Sequence, residues 1–323
     1  MSRLVFVTQQ VDPGHPALAA TIPKIAALAR RVDEVVVLAD GAVPGVLPDN
    51  CRVRRFAAPS RAGRGLRFEA ALARELLPRP VAVVAHMCPI YAVLAAPLAR
   101  PLGVPVLLWF THWKASRLLR LAERAATRVL SVDARSFPLE SPKLRAIGHG
   151  IDMSEFTCTP PEPRERLRAL ALGRTSPAKG LETIVRGAEL AGVELEIRGP
   201  SLTDEERAER ARLGAAVGEP VPRAEVPALF RRFDVLVNNM RAGAPDKVVF
   251  EAAASCLPVL ASNPGFDALL DPDWRFERES PESLAEAFRR LQGADRAAIG
   301  RTLRERVERD HSVEHWAEEV LSA

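Results

Sequence analysis

Short apolar runs alternate with longer amphipathic stretches along almost the whole chain. In the first half, the runs that predict strands are residues 3–8, 34–39, 52–56, 81–85, 104–110 and 128–132. The stretches that predict helices are residues 16–31, 66–77, 91–102 and 114–126. Continuously apolar strands separated by helices are typical of a parallel sheet that is covered on both faces.

The alternation pauses in the middle of the chain and then restarts. Residues 136–142 and 157–163 are irregular, and Gly148-His149-Gly150-Ile151-Asp152 lies between them, so we place a domain boundary near residue 150. Beyond it, the predicted strands are residues 169–173, 193–197, 235–238 and 258–261, and the predicted helices are residues 180–190, 203–216, 223–233 and 247–255, with three more from residue 281 to the end. We therefore predict an α/β fold of two doubly wound, Rossmann-like parallel-sheet domains. They would comprise residues 1–150 and 151–305, with their strand ends facing one cleft, where such sheets bind ligands.

Length and composition agree with two domains. The 323 residues include 47% hydrophobic ones, enough for two cores. No apolar stretch is long enough for a signal peptide or a spanning helix. The four cysteines lie far apart and form no CxxC pair: Cys51, Cys88, Cys158 and Cys256. Their spacing argues against a zinc site and against a disulfide framework, and we expect a cytoplasmic protein.

The charge is divided unevenly between the two halves. Residues 1–150 contain 21 Lys and Arg against 10 Asp and Glu, a net charge of +11, whereas the remainder contains 24 against 31, a net charge of −7. One interpretation is that the first half contacts an anionic acceptor or the inner face of a membrane. The alternative is an arginine-rich composition with solvated helix faces. Nucleic acid is not an expected partner, because the basic half lacks interleaved aromatic residues and a known binding motif.

A basic loop follows the first strand of the predicted second domain and leads into a helix. Its sequence is Gly173-Arg174-Thr175-Ser176-Pro177-Ala178-Lys179-Gly180. A helix N-terminus already carries a positive partial charge, so Arg174 and Lys179 beside it favour an anion such as a diphosphate. The alternative is that both side chains are solvated on a surface loop.

A second charged motif, Asp246-Lys247-Val248-Val249-Phe250-Glu251, follows the strand predicted at residues 235–238. We expect Asp246 to cap a helix that places Lys247 and Glu251 four residues apart on one face. These two residues could form a surface ion pair of little energetic value. A lysine in a first turn opposes the helix dipole, however, so we favour an anionic ligand at Lys247 and a ribose diol at Glu251.

Two residues of the first half are weaker candidates. His112 follows the strand at residues 104–110, where a histidine can donate to a substrate hydroxyl, although many loop histidines bind no ligand. Gly14 lies in the first strand–helix turn, where the backbone could approach a phosphate.

Dinucleotide-dependent dehydrogenases and P-loop NTPases are disfavoured, because no GxGxxG follows the first strand of either half and no P-loop sequence is present. Asp271-Pro272-Asp273 fits a proline turn better than a metal site.

Together these segments resemble the family 4 glycosyltransferases, which have the GT-B fold and a retaining mechanism. The similar segments are Val7-Thr8-Gln9 with Asp12, His86-Met87-Cys88-Pro89 through residues 109–114, Leu121-Ala122-Glu123, Ser136-Phe137, residues 148–152 and the basic loop 173–180. The DK-x3-E pattern at residues 246–251 is similar to that of a bacterial branch. The resemblance runs along most of the chain.

The resemblance implies a hexosyltransferase of polysaccharide or glycolipid assembly. It would move a sugar from a UDP-sugar or GDP-sugar to a glycan, a lipid-linked glycan or a small molecule, without a metal or other cofactor. Arg174 and Lys179 would bind the diphosphate and stabilise it as leaving group, Glu251 would hold the ribose, and His112 would contact the transferred sugar. The nucleobase would lie against the loop from Gly218 to Val221. The other donor-binding candidates are Gly14, Asp246, Lys247 and Val248. Residues 306–323 would form a helix that crosses back to the first domain.

One position departs from the family pattern. Many members carry an acid eight residues before the ribose-binding glutamate, and Gly243 stands there in this sequence. Asp246 is the candidate to replace that acid. Two alternatives therefore stay open beside glycosyl transfer: a non-catalytic homologue that binds a sugar nucleotide, and a sugar-nucleotide epimerase of the same fold.

Overall fold

A computed structural model of the protein describes residues 2–15, 18–162, 164–243 and 245–323. The chain divides into two compact units. The first consists of Met1–Gly150 together with Ser312–Ala323, and the second is Ile151–His311. Each unit is built around one parallel sheet, which confirms the predicted α/β class with two doubly wound domains.

The first unit contains a seven-stranded sheet with the order β3-β2-β1-β4-β5-β6-β7. Its strands are β1 Arg3–Val11, β2 Glu34–Ala42, β3 Cys51–Arg55, β4 Val83–His86, β5 Val106–Trp109, β6 Arg128–Ser131 and β7 Leu144–Ala146. Val7 of the central strand β1 lies opposite Leu38 on one side and Ala85 on the other. Val35, Val36 and Val37 of β2 are all completely buried, because both faces of the sheet are covered.

The second unit contains a five-stranded parallel sheet with the order β10-β9-β8-β11-β12. Its strands are β8 Arg168–Leu172, β9 Glu194–Arg198, β10 Val217–Gly218, β11 Val235–Asn238 and β12 Val259–Ala261. The chain moves outward from β8 to β10 and then returns to the other side of β8 with β11. The strand order therefore reverses between β8 and β11, and ligands bind at such switch points, outside the carboxyl ends of the strands.

Helices connect and cover these strands. They are α1 Thr21–Ala29, α2 Arg61–Glu75, α3 Pro89–Ala99, α4 Arg117–Ala125, α5 Leu181–Ala191, α6 Asp204–Leu213, α7 Val226–Phe230, α8 Lys247–Ala254, α9 Pro281–Gln292, α10 Arg296–His311 and α11 Val313–Leu321. Hydroxyl side chains cap the N-termini of several of them: Ser60, Ser116, Thr203, Ser280 and Ser312. Within the described ranges, no helix combines the length and apolar character that crossing a bilayer requires.

The last helix, α11, belongs to the first unit. Trp316 is completely buried, and its ring meets that of Trp109 edge-on with the centroids 5.7 Å apart. The Lys24 ammonium of α1 lies 4.6 Å from the Trp109 centroid and 5.2 Å from the Trp316 centroid. Arg31, just after α1, pairs with Glu318 at 2.8 Å. Aromatic packing, a cation–π contact and an ion pair thus attach the end of the chain to this unit.

Several elements differ from the sequence expectation. The helix predicted at residues 223–233 is shorter, because a 3-10 turn covers Arg223–Glu225 and α7 covers only Val226–Phe230. The pattern predicts neither β7 nor β10, since edge strands of three and two residues are too short to show a periodicity. Pro16, where the first predicted helix begins, and Pro163, at the end of an irregular segment, lie outside the described residues.

The expectation that the cysteines form no disulfide is wrong. Cys158 and Cys256 are bonded, with their Cα atoms 4.9 Å apart although 98 residues separate them in sequence. The bond joins the segment after the domain boundary to the end of α8. The Thr159 N–H donates to the Ser255 carbonyl at 3.1 Å beside it. Spacing along the chain could not reveal this pair, because the packing of the second unit creates the proximity.

Candidate functional site

Polar side chains converge at the switch point of the second sheet, where β8 and β11 end. β8 leads directly into the basic loop at residues 173–180, and β11 leads into the loop before α8. The structure thereby brings two segments that are far apart in sequence to one edge of the sheet. The residues named below for this edge all belong to the second unit.

Lys179 is directed into this edge from the short 3-10 turn Pro177–Lys179. Its Nζ donates to the Leu172 carbonyl at 2.9 Å and to Asp246 Oδ2 at 2.5 Å. Only 12% of the side chain is exposed. Lys179 is therefore not the solvated loop cation of the alternative interpretation, because its charge is held at the end of β8.

Asp246 does not act as the helix cap that the sequence predicts. It directly precedes α8, but its side chain makes no capping hydrogen bond. Its Oδ2 instead accepts from Lys179 and, at 3.1 Å, from Asn238 Nδ2 at the end of β11. The cap prediction is wrong because the carboxylate accepts from Lys179 and Asn238, which belong to other segments, and not from the first turn of α8.

Glycine at both ends of the basic loop allows the backbone to adopt positive φ angles there. Gly173 has a φ of 124°, and a Cβ at this position would overlap the Lys179 ammonium. Gly180 has a φ of 52°, and its carbonyl accepts from Asn239 Nδ2 at 3.0 Å. A cavity of about 10 Å³ beside Gly173 is lined also by Asn238 and Asn239. Such a volume accommodates about one water molecule.

Arg174 lies at the outer side of the same loop. Its guanidinium is 3.2 Å from Glu206 Oε1, and 57% of its side chain is exposed. Glu206 is itself buried and forms a capping box with Thr203 at the start of α6. The helix cap therefore fixes the carboxylate that orients Arg174, while much of the guanidinium stays accessible to an anion.

Glu251 is a buried carboxylate with two cationic partners. Its side chain is 6% exposed, and Oε1 lies 2.8 Å from Lys247 Nζ and 2.6 Å from Arg223. Arg223 also pairs with Glu155 at 2.8 Å and lies over the ring of Phe156. Lys247 and Glu251 therefore form the i,i+4 ion pair that the alternative interpretation expects. The pair does not lie on the surface, however, because the Glu251 carboxylate is buried and its charge is balanced by two cations.

The remaining second-unit candidates are Gly218, Val221 and Val248. Gly218 ends β10, where it pairs with Arg198 of β9, and its carbonyl accepts from Arg210 at 3.2 Å. Val221 is half-buried in the loop that leads to Arg223. Val248 is buried in the first turn of α8. The structure thus places the loop from Gly218 to Val221 just before the residue that holds Glu251.

Gly14 and His112 lie in the first unit. The Gly14 N–H donates to Asp12 Oδ1 at 2.8 Å in the turn after β1. His112 is exposed, and its Nδ1 accepts from the Lys114 N–H at 3.0 Å. The acceptor role of Nδ1 thus fixes the orientation of this ring in the loop before α4.

Sequence reasoning missed three residues that shape the site. The Thr203-x-x-Glu206 spacing signals a capping box, and that signal could have drawn attention to Glu206. No local pattern marks Arg223, because its partner Glu251 comes from another element. Asn238 ends an apolar strand, and a polar residue at a strand's carboxyl end is a usable but weak signal.

Comparison with known proteins relates the second half of the chain to one family model. Residues 174–322 match the family model described as glycosyl transferase-like. The match begins at Arg174 and includes Lys179, Asp246 and Glu251. No curated protein matches the sequence.

Solved structures match over nearly the whole length of the chain. Anabaena HepE in complex with UDP has a TM-score of 0.76 at 17% identity, covering 100% of this chain and 99% of that chain. Sucrose-phosphate synthase from Thermosynechococcus elongatus has a TM-score of 0.74 at 17% identity, with 99% and 97% covered. A glycosyltransferase from Rickettsia africae has a TM-score of 0.75 at 13% identity, also with 99% and 97% covered. At these identities the likeness concerns the fold. The protein therefore has the GT-B fold, and the family match of residues 174–322 supports a glycosyltransferase family for this chain.

Proposed function

We propose that the protein is a retaining glycosyltransferase of family 4, in the branch with the DK-x3-E pattern. It would transfer a hexose from a UDP-sugar or GDP-sugar to a glycan, a glycolipid or a small-molecule acceptor. The observation that carries the proposal is the position of Lys179, a nearly buried cation held at the switch point of the second sheet beside the half-exposed Arg174. The similar Anabaena HepE structure is a complex with UDP, which agrees with a nucleoside diphosphate as ligand.

Each candidate residue has a role in this proposal. Arg174 and Lys179 bind the diphosphate and stabilise the charge that it gains as leaving group, so that no metal is needed. Glu251 accepts hydrogen bonds from the ribose hydroxyls, with Lys247 beside it. The loop from Gly218 to Val221 lies against the nucleobase, and Val248 is a further donor-binding residue. Gly14 lets the backbone approach a phosphate, and His112 contacts the transferred sugar.

The proposed reaction exchanges one bond to the anomeric carbon for another on the same face. The acceptor hydroxyl oxygen forms a bond to this carbon as the carbon–oxygen bond to the diphosphate breaks. The bonding electrons leave with the diphosphate, and its departing oxygen takes the acceptor proton. Arg174 and Lys179 accelerate this step because they compensate the negative charge where it develops.

Asp246 is the proposed substitute for the acid that many relatives carry at the position of Gly243. The backbone here favours glycine, since Gly243 has a φ of 125° that a glutamate would rarely adopt. The same observation supports a second candidate, a sugar-nucleotide-binding homologue without transferase activity. A sugar-nucleotide epimerase of the same fold would use the same diphosphate contacts and would release product without an acceptor.

We further propose a cytoplasmic enzyme of surface polysaccharide or glycolipid assembly. The bond between Cys158 and Cys256 removes the support that the cysteine spacing gave to this location, because disulfides are rare in a reducing cytosol, so the location rests on the family resemblance. The net charge of +11 in residues 1–150 suits peripheral contact with an anionic membrane, where lipid-linked acceptors are located.

A thermal-shift screen against UDP, GDP, ADP, TDP and CDP, with and without magnesium, tests the nucleotide site. A ligand at 100 times its Kd stabilises by about 2.7 kcal/mol, which raises Tm by several degrees. We expect one diphosphate to act selectively, without magnesium, and to lose its effect in Glu251→Gln but not in Glu189→Gln, which changes an exposed carboxylate on α5. Absence of a shift with every nucleotide would contradict the proposal.

Product analysis then separates the candidates. Sugar transfer to an acceptor supports the transferase, and release of an epimerised sugar without an acceptor supports the epimerase. Nucleotide binding without turnover of any donor supports the non-catalytic homologue.

A further inference from the structure

Helix α4 of the first unit exposes leucines beside arginines. Leu118 and Leu121 are 38% and 51% exposed, whereas Leu119 and Ala122 face the core. The face opposite the core carries three exposed cations, which are Arg117, Arg120 and Arg124. At 3.6 residues per turn, Leu118 and Leu121 lie along one flank of this arginine face.

The leucine flank continues into an apolar groove between α3 and α4. Ala125 is seven residues from Leu118 and therefore on the same flank of α4. The groove has a volume of about 510 Å³ and is lined by Val93, Ala96, Pro97, Arg100, Pro101 and Ala125. Ile90, at the start of α3, is also exposed and continues the stripe that Val93 and Pro97 form. Surface helices usually present polar residues here, so the apolar groove indicates a binding surface.

The exposed charges of α4 have one sign. Glu123 is the single acid in α4, and it is directed away from the arginines: it accepts from Ser141 Oγ at 2.7 Å and lies 3.9 Å from Lys143 Nζ. Among the residues that the structure describes, the three arginines of α4 form no ion pair with a carboxylate. Their charge is therefore available to an external anion.

We propose that α4 and the α3–α4 groove form the face that binds an anionic phospholipid membrane. Arginines attract lipid phosphates, and leucines beside them enter the boundary between headgroups and acyl chains, as in helices that lie in a membrane surface. Trp113 lies four residues before the start of α4 and is 44% exposed, and tryptophan is enriched at this depth. This inference gives a location to the membrane contact proposed above and does not depend on glycosyl transfer.

Vesicle sedimentation of the full chain tests the face. We expect wild-type protein to sediment with vesicles that contain phosphatidylglycerol and to stay in solution with phosphatidylcholine alone. The double variant Arg117→Gln/Arg120→Gln should bind roughly 30-fold more weakly, given the contribution of each arginine near an anionic surface. The double variant Leu118→Ser/Leu121→Ser should lose at least about tenfold, because two apolar contacts disappear.

Matched controls separate this face from a general charge effect. Arg55→Gln/Arg79→Gln removes the same charge from exposed positions of the same unit, and Leu190→Ser/Leu202→Ser removes exposed leucines from the second unit. We expect both controls to bind within about threefold of wild type, because the distant arginines are screened. Equal losses in the α4 variants and the controls would overturn the proposal.

Two further outcomes would also overturn it. In one, the wild type does not sediment with vesicles that contain phosphatidylglycerol, although a nucleotide still raises its Tm. That result would support the nucleotide site and contradict the membrane-binding face. In the other, sedimentation velocity shows an oligomer that Leu118→Ser/Leu121→Ser dissociates, without lipid binding. The groove would then be covered by a second copy of the chain.

Discussion

The Lys179 ammonium and the Asp246 carboxylate lie 2.5 Å apart, although 67 residues separate them in the sequence. They join the loop after β8 to the residue before α8. In the proposed function, Lys179 also receives the donor diphosphate, so an internal anion and an external one share the same cation. Substitution of either residue therefore tests the proposed diphosphate site.

Asp246→Asn should tighten the binding of UDP or another accepted nucleoside diphosphate by about tenfold, because it removes a negative charge beside the cation that receives the phosphates. Isothermal titration measures the Kd. Asp204→Asn is the control, since Asp204 pairs with Arg207 on the surface. Weaker nucleotide binding in Asp246→Asn would show instead that Asp246 mainly positions Lys179.

Lys179→Ala should lower turnover by about 10² or more, and Arg174→Ala should have a smaller effect. The difference follows from burial, because the charge of Lys179 is more shielded from water than that of the half-exposed Arg174. Initial rates at saturating donor measure both. Arg186→Ala, at an exposed position of α5, controls for the loss of a surface cation. Near-normal rates for Lys179→Ala would exclude it from the diphosphate site.

Glu75 should make the first unit sensitive to acid. It is buried against Arg52 and Arg54, and the hydrogen bonds from Arg52 hold the pKa of Glu75 below its usual value of 4.5, although burial opposes the shift. Because the folded-state pKa is lowered, the stabilisation is complete above about pH 4.5 and is lost as pH falls through the folded-state value. Glu75→Gln should therefore reduce the free energy of unfolding by about 2 kcal/mol near neutral pH.

Denaturant titrations at several pH values test this expectation. The difference between wild type and Glu75→Gln should narrow as the pH falls below about 4.5. A difference that stays constant across this range would show that Glu75 contributes through packing and not through its charge. Glu69→Gln, a substitution elsewhere on α2, should leave the pH profile unchanged.

The disulfide between Cys158 and Cys256 should stabilise the second unit. Cys158→Ser should lower the free energy of unfolding of the oxidised protein by about 2–4 kcal/mol, since a bond across a long loop restricts the unfolded chain. Wild type and variant should converge in the presence of dithiothreitol. Titration of thiols in denatured, unreduced protein should detect only Cys51 and Cys88. Detection of four thiols would contradict the bond.

Much of the site was accessible from the sequence, because the relevant side chains follow strands in a doubly wound pattern. The basic loop at residues 173–180 and the charged motif at residues 246–251 both have sequence patterns that predict ligand binding. Their local geometry was less accessible. The residues next to Asp246 in sequence predict that it caps α8. Its side chain makes no capping hydrogen bond because it binds Lys179, which comes from another segment.

Arg223 is a clearer example of a contact that the sequence does not reveal. Its position after a loop and before a short helix gives no reason to connect it with Glu251, yet its guanidinium lies 2.6 Å from that carboxylate. Cys158 and Cys256 likewise meet only because the segment after the domain boundary passes the end of α8. Contacts between distant segments depend on packing, and a local pattern contains no information about them.

The sequence by itself determined the α/β class, the two parallel sheets and the segments that follow their strands, since buried strands and amphipathic helices impose regular apolar spacing on the chain. The tertiary structure alone decided which charges meet: Lys179 with Asp246, Arg174 with Glu206, and Arg223 with Glu251. The physical reason is that periodicity records only whether a residue faces a core. The partner of a polar side chain is fixed by the order of the strands and by the close approach of their carboxyl ends.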